Sequence, residues 1–232
     1  MNLKQPGIFA SFFERLVAAT APARARLLDT PQFRDGLAGR LSLPTYLQYL
    51  AETYYHVRHT IGLVHLADES LAPERLWLSA VLERYIADRS GNEKWILDDI
   101  AQSGGDAELV RFGTPRFATE LMVAYAYDYV RRINPIGIFG MVFVLESTSA
   151  LFASRSVHAL MQTLRLPESC FRYLLSRRAM DVEHVRFLRN TMFRIDDPRD
   201  QVAVIRMAKA MYVLYAGVLA GIPHTEHETC VA

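Results

Sequence analysis

Asp181 and His184 stand three positions apart in the stretch AMDVEHVRF, inside a run whose apolar residues recur at helical spacing. Residues at i and i+3 project side by side from a helix. Helical bundles use such pairs to hold iron or manganese. A third candidate is Glu146 in FVLESTSALF, where Met141 to Leu145 and Ala150 to Ala153 make both flanks apolar. A lone carboxylate in apolar surroundings is costly, so Glu146 requires a cation, a hydrogen-bond donor or a proton. In a bundle, a carboxylate-bridged di-iron centre draws about four carboxylates and two histidines from neighbouring helices. Imidazole supplies neutral nitrogen, and the carboxylates offset and bridge the metal charge.

The second half of such a centre is expected in LERYIADRSGNEKWILDDI, but the ligands are missing there. Arg89 and Asn92 occupy the i and i+3 places where a Glu-x-x-His pair would serve. Tyr85, seven before Asn92, does not replace a carboxylate without an unusual shift in acidity. Arg177 stands one turn before Asp181, where another histidine would face the metal. Glu146, Asp181 and His184 are too few for two metals, though they could hold one iron or manganese ion weakly; no cofactor is firmly implied. Two carboxylates in a dry pocket repel unless something positive lies between them. Arg89 and Arg177 can supply that charge, because guanidinium keeps its proton and grips carboxylates with a fork of donors.

The elements that must position these groups read as helices near 7–20, 22–28, 44–67, 73–103, 115–132, 135–164, 168–193 and 198–221. Ser42-Leu-Pro44, Ala72-Pro73, Thr114-Pro115, Asn134-Pro135 and Leu166-Pro167 mark starts, since proline suits a first helical turn. Ser103-Gly104-Gly105 and Gly221-Ile222-Pro223 mark stops. No run alternates at period two for long enough to make a strand. The expectation is one all-α domain over residues 1–232, with a mobile tail from about 222. The helix at 44–67 carries Glu52, Tyr54, Tyr55, His56, Arg58, His59 and His65 around its circumference, so it should border a polar cavity as well as solvent. His56 and Tyr55 are its candidates for that cavity. Gly137 and Gly140 share one face of the helix at 135–164 and suit close approach of a neighbouring helix.

Composition narrows the classes. Hydrophobic residues make up 51% and charged residues 22%, as in a globular chain. With 26 basic and 25 acidic side chains the net charge is +1, which offers no electrostatic case for nucleic acid. No polybasic amphipathic segment argues for a membrane surface. The most apolar stretch, Ile136 to Leu145, is short of the ~20 residues of a membrane span. Cys170 and Cys230 form no CxxC pair and imply neither zinc nor a disulfide scaffold. Glu14 and Arg15 interrupt the N-terminus too early for a signal peptide, so a cytoplasmic setting is expected.

The stretches YLAETYYHVRHT, DRSGNEKWILDDI, VLESTSAL and DVEHV together resemble haem-oxygenase-like proteins of the iron-containing redox enzyme group. That group includes the haem-oxygenase-like di-iron oxidases, with pyrroloquinoline quinone synthase and the TenA-type thiaminase as more distant relatives. The resemblance runs from roughly residue 40 to 220. It implies a bundle of about seven or eight helices around a central pocket, often as a homodimer. Among the metal ligands it implies, Glu146, Asp181 and His184 match. Asn92 stands where histidine is expected, Tyr85 or Arg89 replaces the upstream carboxylate, and Arg177 replaces the second histidine.

Three functional readings follow. The first is a small-molecule oxidoreductase with an incomplete metal site built on Glu146, Asp181 and His184. The second is a metal-free enzyme resembling pyrroloquinoline quinone synthase or the thiaminases, with His56, Tyr55, Glu146 and His184 moving protons. Tyr55, Tyr85, Arg89, Asn92 and Arg177 would then contact the substrate. The third is a non-catalytic small-molecule binder on the same scaffold.

Overall fold

The computed structural model of the protein describes residues 11–179 and 181–224, with the side chains of 178–185 outside that description. It contains twelve α-helices, α1 Phe12–Leu28, α2 Pro31–Leu37, α3 Leu43–Val57, α4 Thr60–Glu69, α5 Ser79–Arg89, α6 Asn92–Gln102, α7 Ala107–Phe112, α8 Phe117–Arg132, α9 Ile138–Leu164, α10 Arg172–Ala179, α11 Asp181–Arg194 and α12 Pro198–Ala220. Short 3₁₀ turns at Pro73–Leu78, Pro135–Gly137 and Glu168–Cys170 lead into α5, α9 and α10. There is no β-strand among the described residues.

Seven rods make the bundle, and two of them are broken among the described residues. The two expected N-terminal segments are one helix, α1, which carries Pro22 inside it and starts with a reciprocal cap between Ser11 and Glu14. The rod expected at 44–67 divides into α3 and α4 at Arg58-His59. The rod expected at 73–103 divides into α5 and α6 at Ser90-Gly91, where Gly91 takes φ +86° with open space around it. The rod expected at 168–193 is seen as α10 and α11, with Met180 between them outside the described residues. The short helices α2 and α7 were not anticipated, being too brief for periodicity to reveal.

Helix α3 is buried continuously from Tyr49 to His56 and packs on α6 and α8. Helix α12 runs against α1, α8 and α9. Glu52, one turn before His56, faces away from the central cavity. It accepts hydrogen bonds from the Thr119 hydroxyl and the Arg116 backbone N–H, tying α3 to the start of α8. The segments Pro135–Leu164 and Pro198–Ala220 are each long and apolar enough to cross a membrane, which corrects the shorter span inferred from Ile136 to Leu145. Their apolar windows are 67% and 50% buried, and both helices run within the bundle.

Residues 222–224, expected to open a mobile tail, are docked on the bundle. Ile222 is buried, its carbonyl accepts from Gln32, and Pro223 O accepts from Thr45. His224 Nε2 lies 2.8 Å from Asp35 Oδ2. Three residues beyond the helix therefore dock by satisfying buried polar atoms, a cue that chain-end composition does not carry. Glu226, His227, Glu228 and Cys230 lie outside the described residues.

Gly140 sets the approach of α9 to α12: a Cβ there would sit 2.3 Å from Val204 O and 2.9 Å from Ala208 N. Gly217, exposed on α12, has nothing within 4 Å of the same position. Because backbone atoms cannot yield as a side chain can, Gly140→Ala should lower the unfolding free energy by about 1–3 kcal/mol. Gly217→Ala should raise it by about 0.5–1 kcal/mol. Urea unfolding of both variants checks the pair.

Candidate functional site

Both breaks fall beside a cavity at the middle of the bundle. The cavity is small, with room for about 30 Å³, and is lined from seven helices. Tyr49, His56 and Val57 come from α3, Thr60 from α4, and Tyr85 and Arg89 from α5. Asn92 comes from α6, Leu145, Glu146 and Ser149 from α9, Tyr173 and Arg177 from α10, and Tyr215 from α12. The break at Ser90-Gly91 lets Arg89 close one helix and Asn92 open the next while both reach the same space. The break after Val57 does the same for His56 and Thr60.

Glu146 is the centre of the polar wall. Its Oε1 accepts from the Tyr85 hydroxyl at 2.8 Å and from Arg89 Nε at 3.1 Å. Its Oε2 accepts from Arg89 Nη2, completing a two-pronged grip, and from Arg177 Nη1 at 3.3 Å. Side-chain exposures are 13% for Glu146, 4% for Arg89 and 5% for Arg177. A buried charge survives only with a well-matched partner, and parallel N–H donors to both oxygens are the geometry that guanidinium offers best. Burial works against the charge on Arg89, and the Glu146 carboxylate together with Tyr85 and Tyr173 outweighs it, holding the guanidinium pKa above its ordinary value. Burial, reinforced by the Glu146 charge, keeps the Tyr85 hydroxyl far above the usual phenol range, so Tyr85 is a donor here.

Helix α10 is aimed at the cavity by a residue not singled out from spacing. Asp99 is fully buried and accepts the backbone N–H groups of Arg172 and Tyr173, both at 2.9 Å. It thereby caps the first turn of the helix that carries Tyr173 and Arg177 inward. Burial raises its pKa to about 6 against the pull of those two donors. Tyr46 stacks on Phe171 with ring centres 5.1 Å apart, and its hydroxyl donates to Cys170 O, fixing the same turn from the α3 side.

His56 contrasts with the Glu146 cluster across the cavity. It is 8% exposed, and neither Nδ1 nor Nε2 has a hydrogen-bond partner among the described residues. Its ring meets Tyr215 edge-on, with centres 5.7 Å apart. Burial, with a smaller contribution from the charge of nearby His59, lowers its pKa to about 4, so the imidazole is neutral at physiological pH.

The structure thus brings together Glu146, His56, Tyr85, Arg89, Asn92 and Arg177. The side chains of Asp181 and His184 lie outside the described residues. Tyr55 is elsewhere: it points to the junction with α7, where its hydroxyl would lie 2.4 Å from a Cβ at Gly113. It turns away because Tyr54, Tyr55 and His56 are consecutive on a helix and diverge by about 100° each. Tyr49, Tyr173 and Tyr215 also line the cavity and were not anticipated. Each sits on the apolar stripe of its helix, where periodicity reads an aromatic as core.

The whole arrangement matches known proteins at the level of fold. The family model described as "Iron-containing redox enzyme" matches residues 47–216. The chain belongs to this family. No curated protein matches the sequence. Among solved structures, a domain of unknown function with a haem oxygenase-like fold from Shewanella denitrificans OS217 superposes with a TM-score of 0.79 at 21% identity, covering 92% of each chain. A TenA homologue from Pseudomonas syringae pv. tomato DC3000 gives 0.75 at 10% identity over 94% of this chain and 95% of that one. Haem oxygenase from Leptospira interrogans gives 0.73 at 15% identity, over 91% and 99%. The likeness establishes a haem-oxygenase-like fold.

The described donors do not fit the iron that the family name implies. Both Glu146 oxygens face guanidinium nitrogens, and a metal cation bound there would meet the positive charge of Arg89 and Arg177. No group of three His, Cys, Asp or Glu comes together among the described residues.

Two predictions follow from this geometry. Arg89→Met should destabilise the fold by about 3 kcal/mol, because it strands a largely buried carboxylate, whereas Arg89→Met with Glu146→Gln should recover much of that loss. A double-mutant cycle in guanidinium chloride checks it. Separately, His56 has a folded-state pKa of about 4 against 6.5 for the free side chain, so between those values the unfolded chain binds the extra proton. The stability from this neutral ring is complete above pH 6.5 and lost as pH falls towards 4. Asp99, raised from 3.8 to about 6, runs the opposite way. The readout is therefore the difference between wild type and His56→Gln, which should shrink on acidification as measured by chemical denaturation.

Proposed function

We propose that this member of the iron-containing redox family is a small-molecule oxidoreductase that works without resident iron, its guanidinium pair standing where relatives' metal would be expected. The observation that carries the reading is the engagement of both Glu146 oxygens by Arg89, with Arg177 beside them. Family membership supports redox chemistry, and the concave central pocket with its convergent polar groups supports a small organic substrate. The protein's part is to bind and orient. The Glu146–arginine cluster and Tyr85 form a rigid polar wall, Asn92 and Ser149 border the same space, and the tyrosines exclude water. In such a reaction the substrate gives up two hydrogens, its two electrons and two protons pass to dioxygen, and hydrogen peroxide leaves. We include in the proposal a cytoplasmic homodimer without nucleic-acid or membrane partners, on the family resemblance and the balanced charge.

A non-catalytic binder is the second reading, favoured by one observation. His56 titrates far below neutrality and Tyr85 and Tyr215 far above it, so these three groups are not tuned to exchange protons at pH 7.

Metal content tests the main proposal. Protein purified without added metal, and the same protein incubated with ferrous iron and desalted, should both carry far less than one iron or manganese per chain by elemental analysis. About one per chain would show instead that Glu146, Asp181 and His184 hold a single ion. Peroxide release with candidate substrates then separates oxidoreductase from binder.

A further inference from the structure

The cavity has an apolar extension on the far side of His56. This second space is a narrow one, with room for about 10 Å³ as it stands, and shares His56, Thr60 and Leu145 with the first. Beyond them it is walled by Leu63, Met122, Val123, Ala126, Met141 and Met211. No charged side chain lines it. His56 therefore stands at the seam between a polar chamber and an aliphatic one, with both ring nitrogens buried and facing no protein partner among the described residues.

We infer that the two chambers form one binding site for an uncharged amphipathic molecule, whose hydroxyl or amide group meets His56 while its aliphatic or aromatic body enters the methionine-lined chamber. The inference rests on the small-molecule reading above and gives it a substrate class. A neutral imidazole has one N–H donor and one bare nitrogen, so a hydroxyl or primary amide, which both donates and accepts, is the matching group. Leaving such a buried nitrogen unsatisfied is expensive, and a ligand that satisfies it recovers that cost on binding. A charged group finds no counter-charge in the apolar chamber. In the polar chamber both guanidinium groups are already engaged by the Glu146 carboxylate. The apolar chamber is narrow, and three methionines in its wall suit it to widening, since their unbranched thioethers repack at little cost.

Three probes of equal length decide the matter: 1-hexanol, hexanoate and hexylammonium, titrated into the full-length protein at pH 7 with a chelator present and followed by calorimetry. Hexanol should bind, and hexanoate and hexylammonium should each bind at least about tenfold more weakly, the scale of one charged group desolvated without a partner. His56→Phe should weaken hexanol about tenfold, and His56→Gln, which keeps a donor and an acceptor, should restore most of it. Met141→Phe, filling the apolar chamber from a second position, should weaken hexanol while leaving ethanol binding unchanged. Two results would overturn the inference: hexanoate or hexylammonium binding as tightly as hexanol, or hexanol binding undetected in wild type or unchanged in both His56→Phe and Met141→Phe. Because the chelator removes free metal, these outcomes are independent of the iron measurement. Iron at one per chain would sink the metal-free reading alone, and failure of the alcohol series would sink this inference alone.

Discussion

A carboxylate in the middle of a helical bundle must be neutralised, and the rest of this site is arranged around how that is done for Glu146. The helix carrying it is the apolar core helix α9, so water is not available to solvate the charge. Arg89 answers with two parallel donors, Arg177 adds a third contact from another helix, and Tyr85 adds a neutral donor. The three groups arrive from α5 and α10, so one buried charge links three helices. Such clusters are poor sources of net stability but strong constraints on geometry, because removing one partner strands the others. That constraint explains why α10 begins where it does: Asp99 fixes its first turn, and with it the position from which Arg177 reaches Glu146.

The broken helices follow from the same requirement. A continuous rod presents side chains to a given point only once per turn or so. Ending α5 at Arg89 and restarting at Asn92 lets one chain segment place two groups around one cavity, at the cost of a left-handed residue that Gly91 accepts without strain. The break after Val57 likewise lets His56 and Thr60 share both chambers.

Much of this was legible in the sequence, for physical reasons that differ from residue to residue. Glu146 stood out because a carboxylate amid apolar neighbours must have a partner, and Arg89 and Arg177 stood out as the cations available to it. The all-α architecture followed from periodicity and proline starts. The breaks were not legible, since the apolar pattern runs through them. Tyr49, Tyr173 and Tyr215 were hidden because an aromatic on an apolar stripe packs the same way whether its tip meets protein or cavity. Asp99 was hidden beside Asp98, where nothing in the pair says which carboxylate is buried. Tyr55 was misplaced because adjacency to His56 in sequence is divergence on a helix. The docking of residues 222–224 depends on partners from α2 and α3, far away in the chain.

The central claim is that guanidinium, and not metal, balances Glu146. The most direct measurement is a crystal structure of protein grown with excess ferrous or manganous ion, with anomalous scattering recorded at the metal edge. The account predicts Arg89 hydrogen-bonded to both Glu146 oxygens and no anomalous peak in the cavity. A peak bonded to Glu146, with the Arg89 guanidinium displaced from it, would contradict the account.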